Sequence, residues 1–429
     1  MDSAPIAPVS AQPAVTHRGA LVREEPTPPA AVLEELAEGL TVGQTHVSAR
    51  RYFGLFNPAT SLTAALADAL VGGFNPQLAT VASAPFAAEV EARTIADIAR
   101  ELGYPHEDGH FTSGGAEANA TAVLAALTHV FPNLPSVGLR GLDADPTIYV
   151  SAEAHHSIHK AARMAGLGDA AVRVVPMDVE QRLRVDRLHD LVHDDLRNKK
   201  QPVLFVVTLG TTSAGTMEPI APMLKLARTQ GAWLHVDAAF GGLLAFADPK
   251  HPALERLGEA DSLTFDAHKT LHVPMGAGAF MTRHAEALRN AFHLNSGYMP
   301  HVAAHDAFAR SMQWSRRFIG AKVHAAIAGF GWREIRRMAR HMLELGTLLK
   351  TQLSERGFRL FGSTPLPIAA FQDEARGRSP IELCGLASER ANAWLSVARL
   401  SSGNKVARAC VCHARTEASD VEALVNALA

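Results

Sequence analysis

Asp266, Ala267, His268 and Lys269 stand at the end of a short apolar run, Ser262 to Phe265, and ahead of a Pro/Gly-rich turn, Val273 to Gly278. A strand followed at once by a carboxylate, an imidazole and an amine delivers three reactive groups to one place. Desolvation lowers the pKa of a lysine and makes its amine a nucleophile for carbonyls. A single lysine is more ordinarily a surface cation, so its company decides the reading. Asp237 closes a second run, Trp233 to Val236, and Thr211 lies in a loop of small residues and hydroxyls after Val203–Thr208. His155 follows a β-rich stretch, Thr147 to Val150, in a cluster with His156 and His159. Gly114 and Gly115 open an Ala-rich helical stretch that runs on to Leu127. Two glycines there leave N–H groups bare at the positive end of a helix dipole, which suits an anion, although the same pair also serves as a plain turn.

The histidines admit a metal reading, with His155 and His159 at helical i,i+4 spacing. No nearby Cys completes a structural zinc set, and His156 stands where a zincin has Glu. The imidazole is therefore read as a stacking or proton-transfer group, and no metal is expected.

Alternating patterns must position these groups. Helical spacing is expected from Ala31, with Leu33, Leu36 and Leu40, and over residues 60–73, 87–102, from about 186, and 219–229. Strands are expected at 147–150, 172–175, 203–208, at the run before Asp237, and at 262–265. Strand and helix in alternation predict an α/β fold with a mostly parallel central sheet and flanking helices. Ligands of such sheets sit beyond the carboxyl ends of the strands, where His155, Thr211, Asp237 and Lys269 all fall. Residues 282–350 read mostly as helix, with Trp314 to Phe318 entering a long one. Short strands within 357–412 and a last helix capped by Ser419 and Glu422 predict a smaller C-terminal α+β domain. The expected divisions are a tail at 1–30, an N-terminal helical segment at 31–80, a large domain at 81–300 and a small domain at 301–429. The aromatic loop Arg51 to Pro58 is either core or one wall of a ligand pocket.

Composition narrows the function classes. The 429 residues carry a formal net charge of -2, 47% hydrophobic and 20% charged residues, which suits a globular chain without a basic block. Nucleic acid and anionic membranes are not expected partners. Three cysteines, all late, offer no disulfide framework, and no apolar run reaches the ~18 residues of a membrane span. A cytoplasmic protein is expected, with the Ala/Pro/Ser-rich start read as a disordered tail rather than a signal peptide.

An amine, an anion for a ring nitrogen, an imidazole and a phosphate cradle together fit pyridoxal 5′-phosphate. The chain resembles the group II pyridoxal-phosphate-dependent decarboxylases of fold type I, which include aromatic-amino-acid, glutamate and tyrosine decarboxylases. Six ordered stretches carry the likeness: Arg51 to Pro58, Thr112 to Asn119, Ala154 to Ser157, Gly210 to Gly215, His235 to Ala239, and Asp266 to Lys269. The resemblance implies an amino-acid decarboxylase in which Lys269 forms the internal aldimine and Asp237 pairs with the pyridine nitrogen. It places His155 on one ring face and Ala239 on the other. Gly114, Gly115, Ala116 and His268 would contact the phosphate, and Thr211 would lie near the ring and the substrate carboxylate. Loss of CO2 would give a quinonoid and, after protonation at Cα, the amine. It further implies a homodimer with interface active sites, where Tyr52, Phe53 and Phe56 would meet the substrate.

Two departures from that family stand out. Ala116 occupies a place where the family often has a hydroxyl. Where the family's mobile loop carries a proton-donating Tyr, this chain has Ala307 and Phe308. His155, His301, His305 and Tyr298 are the candidate replacements. The alternatives are another fate for the carbanion, either aldehyde-forming oxidative decarboxylation–deamination or carbon–carbon bond formation, and a silent scaffold. The intact Lys269, Asp237 and His155 weigh against silence.

Overall fold

The computed structural model describes residue 6, residues 24–294, residue 303 and residues 305–429. Seven strands form the large sheet: β1 (Asp108–Thr112), β2 (Asp145–Ser151), β3 (Val172–Val175), β4 (Lys200–Thr208), β5 (Trp233–Asp237), β6 (Ser262–Asp266) and β7 (Gly278–Thr282). Their order is β1-β7-β6-β5-β4-β2-β3. The five strands from β6 to β3 run parallel, and β7 is antiparallel to both of its neighbours. Val203 to Val207 in β4 are all fully buried, as expected of a central strand covered on both faces. Helices α1 (Pro29–Val42), α2 (Leu62–Phe74), α3 (Pro85–Glu101) and α4 (Gly115–Val130) lie where the periodicity put them. The buried alanines of α4, among them Ala118, Ala122 and Ala126, belong to one apolar cluster with Ile148, Val206 and Phe280 of the sheet.

A second, antiparallel sheet forms the small domain: β8 (Arg359–Phe361), β9 (Ile368–Gln372), β10 (Ser396–Arg399) and β11 (Lys405–Cys410), ordered β10-β11-β9-β8. The long helix Gly320–Glu355, broken at Gly331 (φ 70°), packs against α2 and α3 and also against β8 and β9. Part of the N-terminal segment joins the small domain: Phe53 N–H donates to Trp394 O and Phe53 O accepts from Cys410 N–H. Arg50 and Arg51 both pair with Asp420 in the last helix.

Two expectations need correction, and one strand lies outside those expected. β1 is a strand that its Asp, Gly and His concealed. Gly109 is there because a Cβ would stand 2.6 Å from Phe280 O on the neighbouring strand. Residues 305–318 are largely irregular, with one 3₁₀ turn at Ala307–Ala309, and the long helix starts only at Gly320. The charges that imitated helix there serve tertiary contacts: buried Arg316 pairs with Glu91 and donates to Phe111 O. The last helix, Ala418–Leu428, is boxed by Glu417 and Asp420 rather than by Ser419 and Glu422. The expected tail lies mostly outside the described residues, as do Tyr298 and His301.

The long helix passes the small domain so closely that a Cβ on Gly346 would stand 2.4 Å from Pro367 Cα. Backbone cannot move aside cheaply, so Gly346→Ala should lower stability by about 1–3 kcal/mol. A thermal melt reads this as a fall in Tm; an unchanged Tm contradicts the packing described.

Candidate active site

The parallel strands set their carboxyl ends along one edge of the sheet, and the chemical groups gather there. Lys269 sits in the single turn Ala267–Thr270 after β6, with Nζ 2.9 Å from Asp266 Oδ2. Its side chain is 22% exposed, so the lysine is ion-paired and partly open rather than sealed in the core. The second oxygen of Asp266 is buried and has no partner among the described residues. His268 lies behind Lys269 with Nε2 3.8 Å from Asp266, and its Nδ1 accepts from Ala277 N–H. Burial holds the His268 imidazole below its usual pKa.

Asp237 ends β5. Its Oδ1 accepts from Ala239 N–H at 3.1 Å and its Oδ2 from Asn119 Nδ2 at 2.8 Å. Two N–H donors and no acceptors suit a carboxylate. His155 occupies the turn before the helix Ser157–Met164, not its first turn, so the i,i+4 face with His159 does not form. Among the described residues no cluster of His, Cys, Asp or Glu is arranged to hold a metal. Burial lowers the His155 pKa, with Lys269 and His156 adding to the shift and Asp237 and Asp266 opposing it. One imidazole thus feels Asp237, Lys269 and Asp266 together.

The glycine turn abuts this group. A Cβ on Gly115 would stand 2.9 Å from Asp266 Oδ2, and one on Gly114 3.5 Å from His268 Cε1. The N–H groups of Gly115 and Ala116 have no intrahelical acceptor, whereas those of Glu117 and Ala118 both donate to Gly114 O. Glu117 reaches back to Ser113 N–H at 2.8 Å, which places an acidic side chain beside that helix end. Thr211 is fully buried and its Oγ1 accepts from Thr216 N–H, so the hydroxyl braces the loop.

The aromatic loop divides between the two roles left open for it. Phe53 is fully buried in the small-domain core with Phe371 and Leu383, a packing residue rather than a substrate contact. Tyr52 is buried, stacks on Trp394 at 5.2 Å and accepts Leu55 N–H at its hydroxyl. Phe56 stands between two cations, its ring centroid 5.5 Å from Lys269 Nζ and 4.5 Å from Arg408 Cζ. Arg408, in β11, was missed by the sequence reading. It is 1% exposed, donates to Gly54 O and Thr212 O at 2.6 Å each, and leaves Nη2 without a partner among the described residues. A lone charge in the apolar run Val406 to Cys412 was the available signal.

His305 and Phe308 do not approach Lys269 within the chain. Arg310 joins His305 to Asp108, at the opposite edge of the sheet, and Phe308 is buried on Trp314 and Ala79.

These groups fit pyridoxal 5′-phosphate. An accessible amine, a carboxylate bound only by donors and glycine-lined N–H groups at the start of a 16-residue helix supply what its aldehyde, ring nitrogen and phosphate need.

The chain matches the pyridoxal-dependent decarboxylase conserved domain over residues 17–372. It is 31% identical over 302 residues to an L-2,4-diaminobutyrate decarboxylase of Rhizobium meliloti, covering 69% of this chain and 58% of that one. The matched curated relatives are spanned over 40–64% of their own lengths. Among solved structures, Oryza sativa TDC with PLP and tryptamine superposes with a TM-score of 0.90 at 21% identity, over 100% of this chain and 93% of that one. Rhodiola rosea 4-hydroxyphenylacetaldehyde synthase gives 0.88 at 22% identity, over 100% and 92%. At such identities these two establish the shared fold.

Asp237→Asn removes the charge and sets an amide N–H against one of the two donors. Turnover should fall about 10²-fold or more while the melt stays close to wild type. A kcat near wild type contradicts the place given to Asp237.

Proposed function

The chain belongs to the pyridoxal-dependent decarboxylase family, and from that premise we propose that it removes CO2 from an L-amino acid to leave the amine. The observation that carries this reading is that Lys269, Asp237 and His155 all follow or end parallel strands at their carboxyl ends, with the Phe56 ring 5.5 Å from Lys269 Nζ and 4.5 Å from Arg408 Cζ. When bound, pyridoxal phosphate supplies an electrophilic carbonyl and an electron-withdrawing ring that weakens bonds at the substrate Cα. Lys269 would supply the amine for that carbonyl once its proton has passed to Asp266, which holds the ammonium at 2.9 Å. Asp237 holds a proton at the ring nitrogen. His155 and Ala239 would enclose the ring, and Gly114, Gly115, Ala116 and His268 would hold the phosphate.

Arg408 selects and orients the substrate. Its unpartnered Nη2 donates to a carboxylate of the substrate, and Phe56 excludes water between that carboxylate and Lys269. Such a charge-assisted contact in a dry pocket is strong. With Tyr298 and His301 outside the described residues and His305 fastened at the far edge, His155 and Lys269 are the proton donors that the described residues supply. Either could return a proton to Cα, and on that reading the amine is the product.

The test is turnover against a panel of L-amino acids, in D2O, with CO2, O2 and products all measured. Amine carrying one deuterium at Cα, without O2 uptake, is expected, and Arg408→Gln should lower kcat/KM about 30-fold or more, corresponding to about 2 kcal/mol. Stoichiometric O2 consumption with aldehyde and ammonia would overturn the reading.

The assembly we propose is a homodimer. α2 exposes Leu62, Leu66, Leu70 and Phe74 at i,i+4 spacing, and α1 buries none of its residues while exposing Leu33, Leu36 and Leu40. Beside Phe74, at 84% exposure, an apolar groove of about 500 Å³ runs to Phe86 and Phe318. Contiguous apolar faces of this extent mark interfaces, and a second copy offers the matching stripe. No helix among the described residues is long and apolar enough to cross a membrane. Phe74→Asp with Leu70→Asp should convert the dimer to a monomer in light scattering; a dimer that persists contradicts this face as the interface.

A further inference from the structure

Asn119 is buried between α4 and the sheet, and none of the roles given so far uses it. Its Oδ1 accepts from Thr264 Oγ1–H at 2.9 Å and lies 3.0 Å from His235 Nε2. Its Nδ2 donates to Asp237 Oδ2 and to Ser157 Oγ, both at 2.8 Å. Proton positions along this cluster follow from its ends. Trp233 has only a donor, and its indole N–H goes to Ser262 Oγ at 2.8 Å. At the other end Asp237 only accepts, so Asn119 turns Nδ2 to it and Oδ1 to His235, whose Nε2 must supply the proton; Nδ1 is then left to accept from Ser262 Oγ, 2.7 Å away. Burial pushes the His235 pKa down to about 4, against the opposing charge of Asp237. The imidazole is neutral and carries its proton on Nε2, facing Asn119. With donors from His235 and Thr264 on its oxygen, the amide cannot flip, so both of its N–H groups face outward.

Those two N–H groups reach the two sides of the active site. One holds the carboxylate of Asp237. The other holds Ser157 Oγ, whose hydroxyl lies 2.8 Å from His155 Nδ1, where the Ser157 backbone N–H also donates. His155 thus keeps its own proton on Nε2.

We propose that Asn119 is a positioning residue that fixes Asp237 and the His155 turn relative to each other, with its amide locked from behind by His235 and Thr264. This rests on the reading of Asp237 and His155 as the partners of pyridoxal phosphate. A hydrogen-bonded support behind a binding group costs about 10–100-fold in affinity or activity when removed.

Asn119→Asp keeps the shape and replaces the donor to Asp237 with an acceptor. Two carboxylates at that separation cannot both ionise, so one takes up a proton. Thr264→Val is a second, near-isosteric variant that removes one of the locks and is well tolerated in a strand. Measured by equilibrium titration of the full chain with pyridoxal phosphate, Asn119→Asp should weaken the cofactor Kd about tenfold or more and change the visible absorption of the bound form. In steady state kcat should fall about 10–100-fold with the amino-acid KM within about threefold. Thr264→Val should shift the same quantities in the same direction by a smaller factor. Cofactor affinity, spectrum and kcat within about twofold of wild type in both variants would overturn the inference alone. A wild-type chain that does not bind pyridoxal phosphate would overturn the functional reading and this inference with it.

Discussion

Parallel pairing of β2, β4, β5 and β6 is the constraint on which everything else depends. A parallel strand must be re-entered from the same end, so every carboxyl terminus opens on one edge and each connecting loop begins there. His155, Thr211, Asp237 and Lys269 are far apart in sequence, yet four loop starts bring them to one line. The apolar interiors of these strands do no chemistry themselves. They hold the register, and a slip by one residue would turn Asp237 away from the face that Asn119 occupies.

Charge burial is the second theme. Three ionic groups are taken out of water at this edge, and each has a different solution. Asp237 is satisfied by two N–H donors, Asp266 by the ammonium of Lys269, and Arg408 by two backbone carbonyls. The last two solutions are incomplete, because one oxygen of Asp266 and one nitrogen of Arg408 have no partner among the described residues. An unpaired buried polar atom is costly. The small domain contributes Arg408, and the N-terminal loop contributes Phe56 between that cation and Lys269. The site therefore needs three parts of the chain folded against one another.

Much of this was legible in the sequence, for reasons that differ between elements. β4 declared itself by a run of five apolar residues, and α4 by alanine after a glycine pair. Lys269, Asp237 and His155 could be found because each closes or follows an apolar run, and strand ends are where such folds place chemistry. What stayed hidden depends on tertiary contact. β1 looks like a loop until Phe280 is laid beside Gly109. Phe53 and Phe56 are two turns of the same aromatic loop, and only packing sends one into the small-domain core and the other to the lysine. Arg408 lies 139 residues beyond Lys269. Asn119 stands in a recognised motif, but its role comes from His235 and Thr264 on other strands.

The central claim is that Lys269 is the amine that binds the cofactor's carbonyl. It is tested most directly by adding pyridoxal phosphate to the full chain, reducing with borohydride and locating the labelled residue by peptide mass spectrometry. The account predicts a visible band that borohydride removes, with the cofactor fixed on Lys269 alone and no fixation in Lys269→Ala. Label on a different lysine, or equal label in Lys269→Ala, would contradict it.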